Sequence, residues 1–360
     1  MLRKPRIVVA DDSGFMRRLL AASLEKVGYE IVGVGKDGDE ALALCERLRP
    51  DAMTLDLAMP GKDGIAVLRE LRASASPVPV VVVSAFSPAH GARAVDALAE
   101  GAFELVSKPA AGEPFEDFVK ELDQKVRAAA QNRASGGMRR PSPTVVPGSD
   151  RTLGEAAAPP WRRVQAKPPV ITGPAKNGTS PLVVIACSTG GPRALADLVP
   201  KLPAPLHAGT LIVQHMPPGF TGSLATRLDN ASRLKVVEAT DGAAIEAGTA
   251  LLAPGGSHLR LNGDRRAHLT DEEATGGLRP RADLTIKDAA ERWGDRVLLV
   301  VLTGMGRDGL EGAKAVKAAG GRVLVEAESS CTVYGMPRAI AEAGLADQVL
   351  DLSELPKAIA

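Results

Sequence analysis

The chain has 360 residues, a formal net charge of +1, 45% hydrophobic residues and 24% charged ones. That length favours two domains over one core, and a near-neutral balance argues against a phosphate-driven nucleic-acid binder, which carries a basic excess or stripe. No apolar run approaches a membrane span, Met1–Arg6 leads into no signal-peptide core, and three scattered cysteines (Cys45, Cys187, Cys331) fit reduced thiols, so the expected location is cytoplasmic without membrane insertion.

Residues 1–127 alternate short β-branched runs with amphipathic stretches, the pattern of a parallel α/β sheet. Strands are expected at Ile7–Ala10, Ile31–Val34, Met53–Leu55, Val80–Val83 and Phe103–Val106, with helical spacing in Met16, Leu19, Leu20, Leu24 and in Val67, Leu68, Leu71. Asp11 and Asp12 follow the first strand, Asp56 the third, Ser84 the fourth and Lys108 the fifth, so all five belong to one rim of the sheet. Three carboxylates suit Mg²⁺, a carboxylate can attack phosphorus to form an acyl phosphate, and Lys108 and Ser84 can meet the phosphoryl oxygens. The alternative for Asp11-Asp12 is a helix N-cap.

This arrangement, with Asp56-Leu57-Ala58-Met59-Pro60 and Asp63-Gly64, resembles the receiver domain of two-component response regulators. The resemblance implies a flavodoxin-like fold with a five-stranded parallel sheet. It also implies Asp56 as phosphoacceptor, Asp11, Asp12 and Asp56 as Mg²⁺ ligands, and Ser84 and Lys108 as the switch pair. Leu105 departs from it, standing where receivers carry the Tyr or Phe that reports phosphorylation, with Phe103 two residues earlier.

Residues 128–179 lose all periodicity in Ala-, Gly-, Pro- and Arg-rich sequence and read as a linker. Strand–helix alternation resumes over 180–360. Val183–Cys187 runs into Ser188-Thr189-Gly190-Gly191-Pro192, Leu211–Gln214 into His215-Met216-Pro217, and Val297–Val301 into Leu302–Gly309 with Asp308. If those strands are parallel neighbours, a hydroxyl, an imidazole and a carboxylate converge as a Ser/His/Asp triad requires. Ser188 needs a base, His215 can supply it, and Asp308 would orient the imidazole. A helix beginning near Pro192 would aim its positive end at an oxyanion. Each feature has a plainer reading: a phosphate cradle or turn at Ser188–Gly191, a packing histidine, an N-cap for a helix Gly309–Ala319. Cys187 is a rival nucleophile, but strand alternation turns it to the face opposite Ser188. The order Ser…His…Asp and Ala186 before the serine disfavour the α/β-hydrolase elbow.

Together with Ala253-Pro254-Gly255-Gly256, His258 and Val333-Tyr334-Gly335-Met336-Pro337, these blocks resemble the catalytic domain of the chemotaxis protein-glutamate methylesterases. The resemblance spans the chain. It implies a doubly wound, mostly parallel α/β domain that hydrolyses glutamate γ-methyl esters of methyl-accepting chemoreceptors and deamidates certain receptor glutamines. It assigns Ser188, His215 and Asp308 to catalysis, the Met305 amide to the oxyanion, and Thr189 to the site lining. It implies a chemotaxis histidine kinase as phosphodonor, recruitment to receptor arrays, no nucleic acid, no cofactor in the catalytic domain, and a receiver that gates the active site. Arg279-Pro280-Arg281-Ala282-Asp283 keeps only part of a family Arg-Pro-Ser-Val-Asp run, so Arg281 is read as a solvated helix start or an altered substrate contact, and His258 as a turn support. Two readings of other classes stand beside this one: a nucleotide-binding module without catalysis, and a scaffold or transcriptional regulator acting by association.

Overall fold

β-Branched runs become the strands of two separate parallel sheets. The computed structural model describes residues 3–74, 77–85, 88–109, 114–134, 180–203, 206–263 and 265–360. The first sheet contains β1 (Arg6–Ala10), β2 (Glu30–Gly35), β3 (Ala52–Leu55), β4 (Val80–Ser84) and β5 (Glu104–Ser107), all parallel in the order β2-β1-β3-β4-β5. Alternate residues serve opposite faces. Ile7, Val9, Val81 and Val83 pack under α1 (Gly14–Lys26) and α5 (Phe115–Ala134). Val8, Ala10, Val80 and Val82 pack under α2 (Gly38–Leu48), α3 (Gly64–Ala73) and α4 (Pro88–Ala99). Each fully buried Val or Leu contributes about 1.5–3 kcal/mol.

Two features differ from the sequence pattern. Ser13, not the preceding aspartates, caps α1 by accepting from the Met16 amide, which leaves Asp11 and Asp12 for other work. Helix α5 continues to Ala134, past residue 127, because Ala128, Ala129 and Ala130 bury against the sheet instead of opening a linker. The rest of the expected linker, 135–179, lies outside the described residues.

The second sheet has seven parallel strands in the order β15-β14-β13-β6-β7-β10-β8. In chain order these are β6 (Leu182–Cys187), β7 (Gly209–Gln214), β8 (Lys235–Glu238), β10 (Thr249–Leu252), β13 (Val297–Val301), β14 (Arg322–Glu326) and β15 (Gln348–Leu350). A small antiparallel sheet of β9 (Ala243–Ala244), β11 (His258–Leu261) and β12 (Arg266–Thr270) is inserted between β8 and β13. Val183, Ile185 and Cys187 point to the layer of α6 (Gly191–Leu198), α7 (Thr221–Ala231) and α11 (Leu355–Ile359). Leu182, Val184 and Ala186 point to α8 (Ala282–Trp293), α9 (Leu310–Ala318) and α10 (Met336–Glu342).

The strand order reverses beside β1 in the first sheet and between β6 and β13 in the second. At such switch points neighbouring connections leave in opposite directions and open a crevice at the carboxyl edge. The halves meet where α4 packs on α6 and α7, and one apolar cluster runs through that seam. Asp96 pairs with Arg227 across it, and Asn132 Nδ2 donates to the Thr332 carbonyl at 2.7 Å. Among the described residues no helix is long and apolar enough to cross a membrane.

Candidate functional site

In the N-terminal half, β1 runs directly into Asp11 and β3 into Asp56, on either side of the switch point. Carboxylate oxygens of Asp11, Asp12 and Asp56 lie within 4.8 Å of one another, with Asp11 and Asp56 buried and Asp12 exposed. Lys108 Nζ bridges Asp11 at 2.8 Å and Asp56 at 2.9 Å. Burial lifts the Asp11 pKa above the usual carboxylate range, with Lys108 partly offsetting it. Burial disfavours the ammonium of Lys108, yet the two aspartates outweigh that and raise its pKa. Ser84 ends β4 at the same rim and is buried. Leu105 lies fully buried in the apolar cluster under α4.

In the C-terminal half, β6 delivers Ser188, its neighbour β7 delivers His215, and β13 on the other flank delivers the loop to Asp308. His215 Nε2 lies 2.7 Å from Asp308 Oδ2, so Nδ1 is the ring nitrogen left for the serine. Ser188 is half-buried, while the side chains of His215 and Asp308 are 8% and 2% exposed, so polarity is sealed progressively behind the hydroxyl. The Ser188 hydroxyl makes no hydrogen bond to His215 here; such contacts commonly tighten only around a bound substrate.

Asp308 is held as an ion by its surroundings. Burial opposes its charge, but the His215 hydrogen bond and the amides of Asp283 and Ala282 prevail and set its pKa far below the ordinary value. Ala282 N–H donates to Oδ2 at 2.7 Å and Asp283 N–H to Oδ1 at 2.9 Å, because α8 starts directly against this carboxylate. Asp308 also sits one residue before Gly309, whose amide reaches back to Oδ1 at 3.0 Å.

The serine loop is packed too closely for larger residues. Gly190 caps α6 with φ 79°, a left-handed conformation natural to glycine. A Cβ on Gly304 would fall 2.8 Å from the Ser188 Cβ and 2.5 Å from the Met336 sulfur. The amides of Thr189 and Met305 donate to no acceptor among the described residues, as oxyanion donors require. Met305 is 37% exposed beside the serine loop, whereas the Thr189 side chain is buried. Cys187 turns into the apolar layer under α6, where burial raises its thiol pKa, a poor setting for a rival nucleophile.

Three site residues, Gln214, Glu326 and Thr303, were not among those expected. Gln214 ends β7 fully buried and donates to the carbonyls of Ser188 at 3.1 Å and His215 at 2.8 Å. Glu326 ends β14 fully buried, accepts the Thr303 amide at 2.8 Å, and has its pKa raised by burial. Thr303 in turn accepts the Ser188 amide at its carbonyl and donates its hydroxyl to the Thr189 carbonyl at 2.9 Å. Arg281 is not a solvated helix start: its Nε lies 3.3 Å from Asp308 Oδ1 and its Nη2 donates to Asp283 at 3.0 Å. His258 is fully buried behind it, accepting the Arg281 amide at 3.1 Å.

Comparison with known proteins agrees in both halves. A family profile described as CheB methylesterase matches residues 183–359, and one described as response regulator receiver domain matches 7–120. A protein-glutamate methylesterase/protein-glutamine glutaminase of Symbiobacterium thermophilum is 41% identical over 360 residues, covering 99% of this chain and 96% of that protein. Protein-glutamate methylesterase/protein-glutamine glutaminase 5 of Myxococcus xanthus is 42% identical over 347 residues, 95% of this chain and 93% of its own. The crystal structure of the Thermotoga maritima CheB methylesterase catalytic domain is 43% identical, covering 50% of this chain and 97% of that one with a TM-score of 0.49.

Proposed function

This chain belongs to the CheB methylesterase family, and from that membership we propose that it hydrolyses glutamate γ-methyl esters of chemoreceptors through Ser188, His215 and Asp308. Deamidation of receptor glutamines follows from the same chemistry, since an amide carbonyl passes through the same acyl-enzyme. The observation that carries the reading is the 2.7 Å contact between a shielded imidazole and a buried, ionised aspartate, on strand ends flanking a half-buried serine.

In this mechanism His215 Nδ1 takes the Ser188 proton as Oγ attacks the ester carbonyl. Negative charge develops on the carbonyl oxygen and is met by the amides of Met305 and Thr189. The imidazolium is stabilised by Asp308. It returns its proton to the departing methoxide, methanol leaves, and water repeats the sequence on the acyl-enzyme. Preorganised donors of this kind are each worth about 10²–10³ in rate.

Asp56 is the phosphoacceptor in this reading. The donor set of Asp11, Asp12 and Asp56 fits a hard divalent cation, three carboxylates being gathered within 4.8 Å. Bound there, Mg²⁺ would neutralise the carboxylates and the incoming phosphoryl group. Lys108 and Ser84 then engage the new oxygens, and their movement is carried by α4 to its seam with α6 and α7. The phosphodonor would be a histidine kinase of the chemotaxis type, and the enzyme would work at receptor arrays in the cytoplasm.

The test is methanol release from methyl-labelled receptor membranes with and without a small-molecule phosphodonor and Mg²⁺. Release that rises with the phosphodonor and disappears in Ser188→Ala is expected. Release persisting in Ser188→Ala would refute the nucleophile.

A further inference from the structure

Two carboxylates lie side by side behind His215. Gly309 N–H donates to Asp308 Oδ1 and to Asp283 Oδ1, each at 3.0 Å, so one proton donor is shared between two buried acids. Asp283 also accepts the Gly312 amide at 2.8 Å, which fixes it at the start of α9. Like charges this close are not both ionised without a counter-charge. Arg281 supplies it, reaching Asp308 through Nε at 3.3 Å and Asp283 through Nη2 at 3.0 Å, while Nη1 is anchored on the Thr275 carbonyl at 2.9 Å.

We propose that Arg281 is a positioning residue for the esterase reaction, a cation that keeps the Asp283–Asp308 pair doubly ionised so that Asp308 can support the imidazolium. This rests on the reading of Asp308 as the triad acid. The charged groups that face the pair are few. His215 comes from the loop after β7, Arg281 and Asp283 from the entry to α8, and His258 of β11 accepts the Arg281 amide at Nδ1 while its Nε2 lies 3.3 Å from the Glu273 carbonyl. Arg307 and Glu311 on the adjoining turn are exposed, and Glu311 pairs outward with Lys314. Arg281 is thus the only fixed positive charge paired with either acid among the described residues.

A guanidinium is suited to this work because its planar fork serves two carboxylates at once, which a lysine ammonium on one stem does poorly. Burial raises the Asp283 pKa, with the Gly312 amide and Arg281 offsetting it. Without Arg281 a proton enters the pair at Asp283, and its sharing with Asp308 weakens the charge that faces His215. The loss of the carboxylate charge facing His215 moves the acidic limb of the rate profile to higher pH.

The experiment is the pH profile of kcat/KM for methanol release by the phosphodonor-treated full chain, comparing wild type with Arg281→Ser, Arg281→Lys and the double variant Arg281→Ser/Asp283→Asn. The acidic limb of Arg281→Ser should rise by about 1–3 pH units, as expected for losing an opposite charge at this distance. Arg281→Lys should fall between it and wild type. Asp283→Asn should restore the limb in the double variant, because a single carboxylate needs no counter-charge. An Arg281→Ser limb that coincides with wild type, or one that Asp283→Asn leaves unrestored, would overturn the proposal. Asp308→Asn separates the two claims: if that variant stays active, the triad reading fails, whereas an inactive Asp308→Asn beside an unshifted Arg281→Ser profile defeats the role of Arg281 alone.

Discussion

Replacing Asp308 by Asn changes a single atom and tests both the architecture and the chemistry. Asp308 Oδ2 accepts from His215 and Ala282, each at 2.7 Å, and Oδ1 accepts from Asp283 at 2.9 Å and Gly309 at 3.0 Å. An amide offers one acceptor oxygen and one NH₂, so either orientation points hydrogen at a backbone N–H that was satisfied. A stranded buried donor costs about 1–3 kcal/mol, which sets the expected loss in urea-unfolding stability. If the NH₂ takes the Oδ2 side, His215 Nε2 must become the acceptor and Nδ1 the protonated nitrogen. Nδ1 then has no lone pair for the serine proton, and a triad left in the wrong tautomer loses about 10⁴ in rate. If the NH₂ takes the Oδ1 side, it meets Arg281 as well as two amides, so the first orientation is the milder one. Methanol-release kinetics at neutral pH, read beside the unfolding curve, measures both losses. A rate within about ten-fold of wild type would refute the assignment of Asp308 as the acid that sets the tautomer.

Asp56→Asn should abolish the rise in methanol release on adding phosphodonor; a full rise in that variant would place the acceptor elsewhere. Arg227→Ala, which removes an exposed pair with Asp96, should raise the unphosphorylated rate by no more than about five-fold, since such pairs are worth about 0.2–1 kcal/mol. Val95→Asp, which buries a charge in the apolar seam, should raise it further, and the reverse ranking would mean that the ion pair dominates closure. Glu326→Gln should stabilise the protein at neutral pH. Burial raises the folded pKa of Glu326, so its contribution is intact below the ordinary glutamate value of about 4.3 and is lost as pH rises through the folded value. Urea unfolding at pH 4 and pH 8 (both assay conditions set at roughly the two sides of that range) should therefore show a gain for Gln only at the higher pH, and a pH-independent difference would exclude titration as the cause.

The legible part of the site was the part carried by strand ends. A polar residue closing an otherwise apolar strand located Ser188, His215, Asp11 and Asp56, because a buried parallel strand has no other use for one. The same rule applies to Gln214 and Glu326, which close β7 and β14 and hold the serine loop from behind. Those two were readable and were passed over because neither matched a catalytic role. The pairing of Arg281 and Asp283 with Asp308 was not readable. Their approach to Asp308 depends on α8 entering at the rim of β13, and no spacing in the sequence encodes that angle. The alanines after residue 127 misled for a different reason: small residues without amphipathic contrast resemble a linker, yet alanine is the best helix former and fits where α5 lies close on its sheet.

Leu105 bears on how the two halves are coupled. A receiver that carries an aromatic ring there can register phosphorylation by swinging the ring, but Leu105 is fully buried and its carbonyl is held by Lys125 Nζ at 2.6 Å. It shares its apolar cluster with Ala94, Val95 and Leu98 of α4, the helix that lies on α6 and α7. Ser84 precedes α4 and Lys108 follows β5, so a pull of both toward a phosphorylated Asp56 acts on the two strands that carry this helix. Passing from mostly closed to mostly open requires about 5 kcal/mol of differential stabilisation. The Asp96–Arg227 pair supplies at most about 1 kcal/mol of it. The remainder has to come from the apolar seam, where losing contact for even two buried aliphatic side chains costs about 3–6 kcal/mol. In the proposed switch the signal is therefore carried by the position of the α4 face on α6 and α7.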